Sequence, residues 1–308
     1  MKHLIYSKDL KKEEYDEILR RFNKFVKDGI PNDICRGKII ATLFFQSSTR
    51  TMTMFQTAMI RAGGGWVGVI GEDAISMSKG ESLEDTIREY GSFADCIVMR
   101  HSDDDSAERA AEISFVPILN GGSGSREHGI AAPYFICMLA YYLKRPLEGI
   151  KVGIYGTPGI NRATKSLVSA LGIYGATIII DDLGHFPLPK EVEDAAMANG
   201  LNSIKYDKLE NFIDTVDVLF LTRGLQKGII SSDTFSKEKE EMILERYKPI
   251  TKKHMEKMRK DSILFMIKPR IFEVEKEVDS DSRACYSKQE PYAEMALALI
   301  TYYLEINV

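Results

Sequence analysis

The sequence predicts an α/β protein: two doubly wound domains, each around a mainly parallel sheet, with a C-terminal helix docking back on the N-terminal domain. Three observations carry that expectation. Strand-like apolar runs alternate with helical ones along the chain, as parallel strands joined by crossover helices do. A long apolar run splits the alternation into two series and puts a domain division near residues 130–148. At 308 residues the chain is also long for a single hydrophobic core.

In the first series, KEEYDEILRRFNKFVKDG has apolar positions at helical spacing and reads as a helix ending at Gly29. The strand KIIATLFF follows, then a helix carrying Met54, Phe55, Ala58, Met59 and Ala62, then the strand WVGVI. SLEDTIREYGSFA (helix), CIVMR (strand), SAERAAEI (helix) and FVPILNGG (strand into a glycine turn) complete it. The divider is the apolar helix APYFICMLAYYLK. The second series opens on KVGIYG, passes a Gly/Pro-rich turn, and continues with the helix RATKSLVSALGIYG and the strand TIIIDD. The strands VDVLFLT and ILFMI come later, separated by the charged segment SKEKEEMILERYKPITKKHMEKMRKD. The last helix, EPYAEMALALITYYLEI, is apolar enough on one side to dock on the body.

Composition narrows the function classes. Lys plus Arg is 41 and Asp plus Glu 45, a net charge of −4, so no nucleic-acid or anionic-membrane partner is expected. The opening MKHLIYSKDLKKEEY holds no sustained apolar segment, which argues against a signal peptide or a membrane span. Cys35, Cys96, Cys137 and Cys285 are far apart, with no CxxC pair. They read as free thiols of a reducing compartment rather than metal or redox ligands. A soluble cytoplasmic protein is the expectation.

One stretch asks for chemistry. In FFQSSTRTMTMF, residues 44–55, Ser48 follows a strand and precedes a helical run, which suits an N-cap. The next backbone N–H groups then point outward at the positive end of the helix dipole. Ser48, Thr49 and Thr51 add hydroxyls, and Arg50 adds a planar charged fork matched to phosphate oxygens. A phosphate site and a capped helix with a solvated arginine both fit that pattern. Other residues are equally two-sided when taken alone. Lys79 in a glycine loop is by default a solvated charge. Arg100 ends an apolar strand, where ligands bind in open parallel sheets. His128 follows a glycine-serine turn, and a lone histidine is more often structural. Arg162 follows GTPGIN, where a nucleotide site competes, although the run lacks G-x-G-x-x-G and G-K-[ST].

Taken together, the segments resemble one family. FFQSSTRTMTMFQTAM is similar to the carbamoyl-phosphate signature of the aspartate/ornithine carbamoyltransferases, F-x-x-x-S-T-R-T followed by an aromatic and a small-residue helix. SKGESLEDTIREYGSFADCIVMRH resembles the family's mobile lysine loop, helix and arginine-bearing strand. NGGSGSREH resembles its glycine turn ending in a histidine, and LTRGLQK the T-R-x-Q-K acceptor motif of the aspartate branch. The four matches run in the family's order across residues 38–270.

The resemblance implies a carbamoyl-phosphate-binding domain over 1–130, an amino-acid acceptor domain over 131–288, and a helix over 289–308 that packs back on the first. It implies that Ser48, Thr49, Arg50 and Thr51 hold the donor phosphate and that Arg100 reaches the same group. His128, with Thr51 and Arg100, would polarise the carbonyl oxygen. Lys79, in a loop with Ser76 and Ser78, would close over the site of a neighbouring subunit in a homotrimer. Arg162, Arg223 and Gln226 would bind the acceptor's carboxylates. The implied reaction is carbamoyl transfer from carbamoyl phosphate to aspartate, of the pyrimidine-biosynthesis type. It passes through an oxyanion and releases an anion, so positioned donors and cations suffice without cofactor, metal or covalent nucleophile. No regulatory domain is recognisable, and a regulatory subunit stays open.

The departures cluster where the carbamoyl amide is read. The family's histidine is followed by Pro-Thr-Gln, whose glutamine binds the amide; HGIA puts Ala131 there. Its H-P-L-P-R strand end is shortened and changed to MIKPR, bringing Lys268 into the site region. Gln46 stands for an acidic residue, Met52 for an arginine, and TRGLQK carries one extra residue, with Ile229 and Ile230 where a basic residue is often found. Three readings follow: a divergent aspartate carbamoyltransferase, a paralogue using another acyl phosphate or amino-acid acceptor, or a non-catalytic binding subunit. Retention of Arg50, Thr51, Lys79, Arg100 and His128 together argues against the third.

Overall fold

The alternation resolves into two separate sheets, every pairing in them parallel. The computed structural model describes residues 1–71, 80–224 and 237–308. They divide into unit 1, residues 1–137 with 290–308, and unit 2, residues 138–289.

Unit 1 begins with α1 (Lys12–Asp28), which stops at Gly29 in a left-handed conformation, φ 84°. Its sheet comprises β1 (Ile39–Phe44), β2 (Gly65–Ile70), β3 (Cys96–His101) and β4 (Ile118–Ser123) in the order β2-β1-β3-β4. The helices α2 (Thr49–Arg61), α3 (Leu83–Phe93) and α4 (Ser106–Ile113) alternate with these strands. On one face Ala41, Leu43, Ile97 and Met99 pack with Leu83 and Ile87 of α3 and Ala110 of α4. The outer edge of β4 is covered by the chain's beginning: Leu4 N–H donates to Ile118 O (2.8 Å) and Asn120 N–H to Leu4 O (2.8 Å), which removes an exposed strand edge.

The helix α10 (Tyr292–Tyr303) belongs to this unit and packs against α1 and α2. The sequence suggested one apolar side, but Ala293, every residue from Met295 to Thr301, and Tyr303 are buried. A helix with neighbours on several sides needs an apolar surface nearly all round.

Unit 2 contains β5 (Lys151–Tyr155), β6 (Thr177–Asp181), β7 (Ser203–Tyr206), β8 (Val218–Leu221) and β9 (Ile263–Met266), ordered β7-β6-β5-β8-β9. Its helices are α6 (Arg162–Ile173), α7 (Lys190–Ala198), α8 (Lys237–Arg246) and α9 (Lys252–Lys257). The division between units falls inside α5 (Ala131–Leu143). The charged segment read as one stretch holds both α8 and α9, with Pro249 between them. Ile243, Tyr247, Ile250, Met255 and Met258 supply the buried positions among its described residues. The pair α7 and β7 went unread because β7 is a short edge strand with no buried residue. FVPILNGG becomes strand only from Ile118: Phe115 is exposed, and Pro117 has no N–H to give a ladder.

All four cysteines are buried free thiols, and burial alone pushes Cys35 up to about 11. No described helix is long and apolar enough to cross a membrane.

Leu299 is fully buried in α10. Leu299→Ala should cost about 2–5 kcal/mol of unfolding free energy in a urea titration. A loss under about 1 kcal/mol would mean that the helix adds little to the unit 1 core.

Candidate active site

In each sheet the strand order reverses beside the strand that starts the series, between β1 and β3 and between β5 and β8. Ligands of open parallel sheets bind outside the carboxyl ends of the strands at such a reversal. Of the residues singled out in the sequence, Ser48, Thr49, Arg50 and Thr51 follow β1, Arg100 lies in β3, and Arg162 and Arg223 follow β5 and β8.

In unit 1, Phe44 pairs with Arg100, and Phe45 N–H donates to Arg100 O (2.9 Å). That register sets the turn after β1 beside the end of β3. Ser48 takes the N-cap position of α2 in extended conformation, but its hydroxyl makes no capping bond. The first-turn N–H groups are therefore not satisfied by the cap side chain, as an anion site requires. Thr49 and Arg50 are exposed, while Ser48 and Thr51 are half-buried.

Arg100 alternates to the sheet face opposite Met99. Its Nη1 donates to Gly121 O over a long 3.4 Å. Its Nε is buried without a hydrogen-bond partner among the described residues. No acidic side chain among the described residues pairs with it. Burial, and then the positive charge of Arg50, lower the Arg100 pKa from its usual value. Gly121 of β4 keeps the space tight: a Cβ there would lie 3.0 Å from Met99 O, 3.5 Å from Thr51 Cγ2 and 3.6 Å from Phe44 Cζ. Arg50, Thr51 and Arg100 thus come together at one strand end.

His128 lies between the end of β4 and the start of α5, half-buried. Its N–H donates to Glu127 Oε1 (2.8 Å), and its carbonyl accepts from Ala131 N–H (2.8 Å). The sequence reading left one cluster of unit 1 without a role. Glu290, 5% exposed, accepts from Tyr134 Oη at 2.5 Å, and the rings of Tyr134 and Tyr292 stack at 6.1 Å. Burial and Glu290 push the Tyr292 hydroxyl pKa up, and Arg50 works against them. In the sequence this cluster is hidden, because EPYAEM reads only as a helix start.

In unit 2, Arg162 is the first residue of α6 and only 6% exposed, with Asn161 as a capping residue that accepts Thr164 N–H (3.2 Å). Arg223 follows β8 and Lys268 follows β9, both half-buried. Three cations therefore stand at the carboxyl ends of adjacent strands. The glycine before them is required: Gly156 has φ 124°, and a Cβ there would lie 2.4 Å from Thr222 Oγ1. Lys79, Ser76, Ser78 and Gln226 lie outside the described residues. Among the described residues no three His, Cys, Asp or Glu side chains gather as metal ligands would.

Residues 2–132 match the family model for the aspartate/ornithine carbamoyltransferase carbamoyl-P binding domain, and residues 148–301 that for the Asp/Orn binding domain. The chain is 34% identical to an aspartate carbamoyltransferase catalytic subunit of Clostridium botulinum, with 96% of each chain covered. It is similar to the catalytic subunit of M. jannaschii aspartate transcarbamoylase, with a TM-score of 0.85 and 32% identity over 100% of this chain and 99% of that one. Trypanosoma cruzi aspartate transcarbamoylase in complex with carbamoyl phosphate and aspartate gives a TM-score of 0.85 at 26% identity, covering 98% and 96%.

A half-buried cation held near another cation is a load on the fold. Arg100→Met should leave stability unchanged or raise it by up to about 1 kcal/mol, read from denaturant unfolding in phosphate-free buffer. A loss above about 2 kcal/mol would make Arg100 a structural residue instead.

Proposed function

The chain belongs to the aspartate/ornithine carbamoyltransferase family, and we propose that it transfers the carbamoyl group of carbamoyl phosphate to the amino group of L-aspartate. The observation that carries this reading is Arg100: a half-buried arginine at the β1–β3 reversal whose Nε is buried, without an acidic partner among the described residues and within the field of Arg50. A phosphate dianion satisfies both cations at once.

Each residue then has a task. Ser48, Thr49, Arg50 and Thr51 hold the phosphate at the N-terminus of α2, and Arg100 meets it from β3. As the amine attacks, a C–N bond forms, negative charge builds on the carbonyl oxygen, and the C–O bond to phosphate breaks. His128, Thr51 and Arg100 take up the charge on the carbonyl oxygen, and the departing phosphate stays with the cations that bound it. An amine proton leaves with the phosphate. Arg162, Arg223, Gln226 and Lys268 bind the acceptor. Three cations suit a dicarboxylate such as aspartate and oppose an acceptor whose side chain is itself cationic. This assignment divides the chain into a donor domain over 1–130, an acceptor domain over 131–288 and a returning helix over 289–308.

The reading extends to a cytoplasmic homotrimer in pyrimidine biosynthesis, in which Lys79, Ser76 and Ser78 serve the site of a neighbouring subunit. Arg50→Ala should lower kcat by about 10²–10³, the usual effect of removing one donor from developing negative charge, here that of the departing phosphate. Lys79→Ala should be inactive too, and hybrids assembled from the two variants should regain part of the activity. Near wild-type turnover in Arg50→Ala sinks the phosphate assignment. A monomer in sedimentation, or verified hybrids without activity, sinks the shared site.

A second reading, a different acyl phosphate as donor, is favoured by one observation. Ala131 opens α5 as a buried apolar residue where the family reads the amide, and Lys268 offers only donors, so it cannot accept an NH2. The ratio of kcat/KM for carbamoyl phosphate over acetyl phosphate should then be only about 10–200, and Ala131→Gln should raise it. A wild-type ratio near 10⁴ would mean that other groups read the amide, and the altered-donor reading falls.

A further inference from the structure

Unit 2 holds a carboxylate that the proposed chemistry does not use. Glu273 is 0% exposed. Its Oε1 accepts from Gly224 N–H (3.0 Å), and its Oε2 accepts from Ile271 N–H (2.7 Å) and Phe272 N–H (3.1 Å). A buried carboxylate is costly unless such donors converge on it. These donors come from two places. Gly224 adjoins Arg223 after β8, while Ile271 and Phe272 lie in the segment that leaves β9 through Lys268. One side chain therefore ties the ends of two neighbouring strands that carry acceptor cations.

The peptides on either side of Arg223 are held as well. Thr157 Oγ1 donates to Arg223 O (2.8 Å), Tyr247 Oη donates to Thr222 O (2.7 Å), and Thr157 N–H donates to Thr222 Oγ1 (2.6 Å). Phe272 and Tyr247 close over Gly224, where a Cβ would lie 2.6 Å from Phe272 Cζ and 2.9 Å from Tyr247 Cδ1. Three buried side chains, Thr157, Tyr247 and Glu273, thus fix the backbone from which Arg223 projects.

We propose that Glu273 is a positioning residue for acceptor recognition: by bonding Gly224 and the Ile271–Phe272 peptides together, it registers Arg223 against the Lys268 segment. The proposal rests on the assignment of Arg223 to the acceptor. Glu273→Gln keeps the shape but exchanges one accepting oxygen for an NH2, which must face an N–H head-on. The Arg223 corner then loses its tie on one side.

Steady-state kinetics with each substrate varied in turn provides the test. Glu273→Gln should raise the KM for aspartate by roughly tenfold or more, leaving the KM for carbamoyl phosphate within about twofold. Glu273→Asp, which keeps two accepting oxygens, should recover part of the loss. Thr157→Val removes the donor to Arg223 O at nearly constant volume and should shift the aspartate KM in the same direction, so it serves if Glu273→Gln does not fold. An unchanged aspartate KM in whichever of the two folds, or equal losses on both substrates, overturns the proposal. Arg223→Ala separates the two layers. If it leaves aspartate use intact, the acceptor assignment fails; if it impairs aspartate use while Glu273→Gln and Thr157→Val do not, only the positioning role fails.

Discussion

In both sheets the strand that opens the series lies inside the sheet, and the chain builds outward from it to one edge before returning to the other side. The connections that leave β1 and β3, or β5 and β8, consequently diverge. A crevice remains at the carboxyl ends, where backbone N–H groups and strand-end side chains face outward. The rest of the chemistry depends on that constraint. The N-terminus of α2, Arg100 at the end of β3, and the Thr157–Arg223 bond between the ends of β5 and β8 all follow from it. Neither set of residues is contiguous in sequence, and each is assembled by parallel pairing.

The two units prepare their crevices differently. In unit 1 the cations repel each other, and burial adds to the cost of Arg100. Such an arrangement lowers the stability of the fold, and under the proposed function a dianion would relieve it. In unit 2 the emphasis is on geometry. Buried hydroxyls and one carboxylate hold the peptides around Arg223, so its guanidinium projects from a fixed backbone, which under the proposed function would leave less order to impose on binding.

The legible parts of the sequence were those in which a local pattern coincides with a local structure. KIIATLFF followed by Ser48, Thr49, Arg50 and Thr51 displays strand, cap and helix in one stretch, and β1 and α2 lie there. The charged segment was harder, because its buried Ile243, Tyr247, Ile250, Met255 and Met258 are spread over and around two short helices interrupted at Pro249 and outnumbered by lysines and glutamates. The last helix was recognisable as a helix, whereas its burial on nearly all sides depends on α1 and α2, far away in the chain. Glu273 could not be read at all. Its partners are backbone N–H groups, one of them at Gly224, and main-chain donors leave no trace in residue identity. Arg162, Arg223 and Lys268 became candidates through resemblance, since a cation after a strand carries no signature of its own.

The residues of unit 1 come from both ends of the described chain, with all of unit 2 between them. On the ribosome, residues 138–289 are therefore made before 290–308, so the unit 2 sheet can close while unit 1 still waits for its last helix. Until α10 arrives, the surfaces of α1 and α2 that it covers are open to water and to other nascent chains. At elongation rates of about 5–20 residues per second, that interval lasts many seconds. Chaperones have that window in which to act, and a message truncated late in its coding region would yield a finished unit 2 sheet joined to an unfinished unit 1.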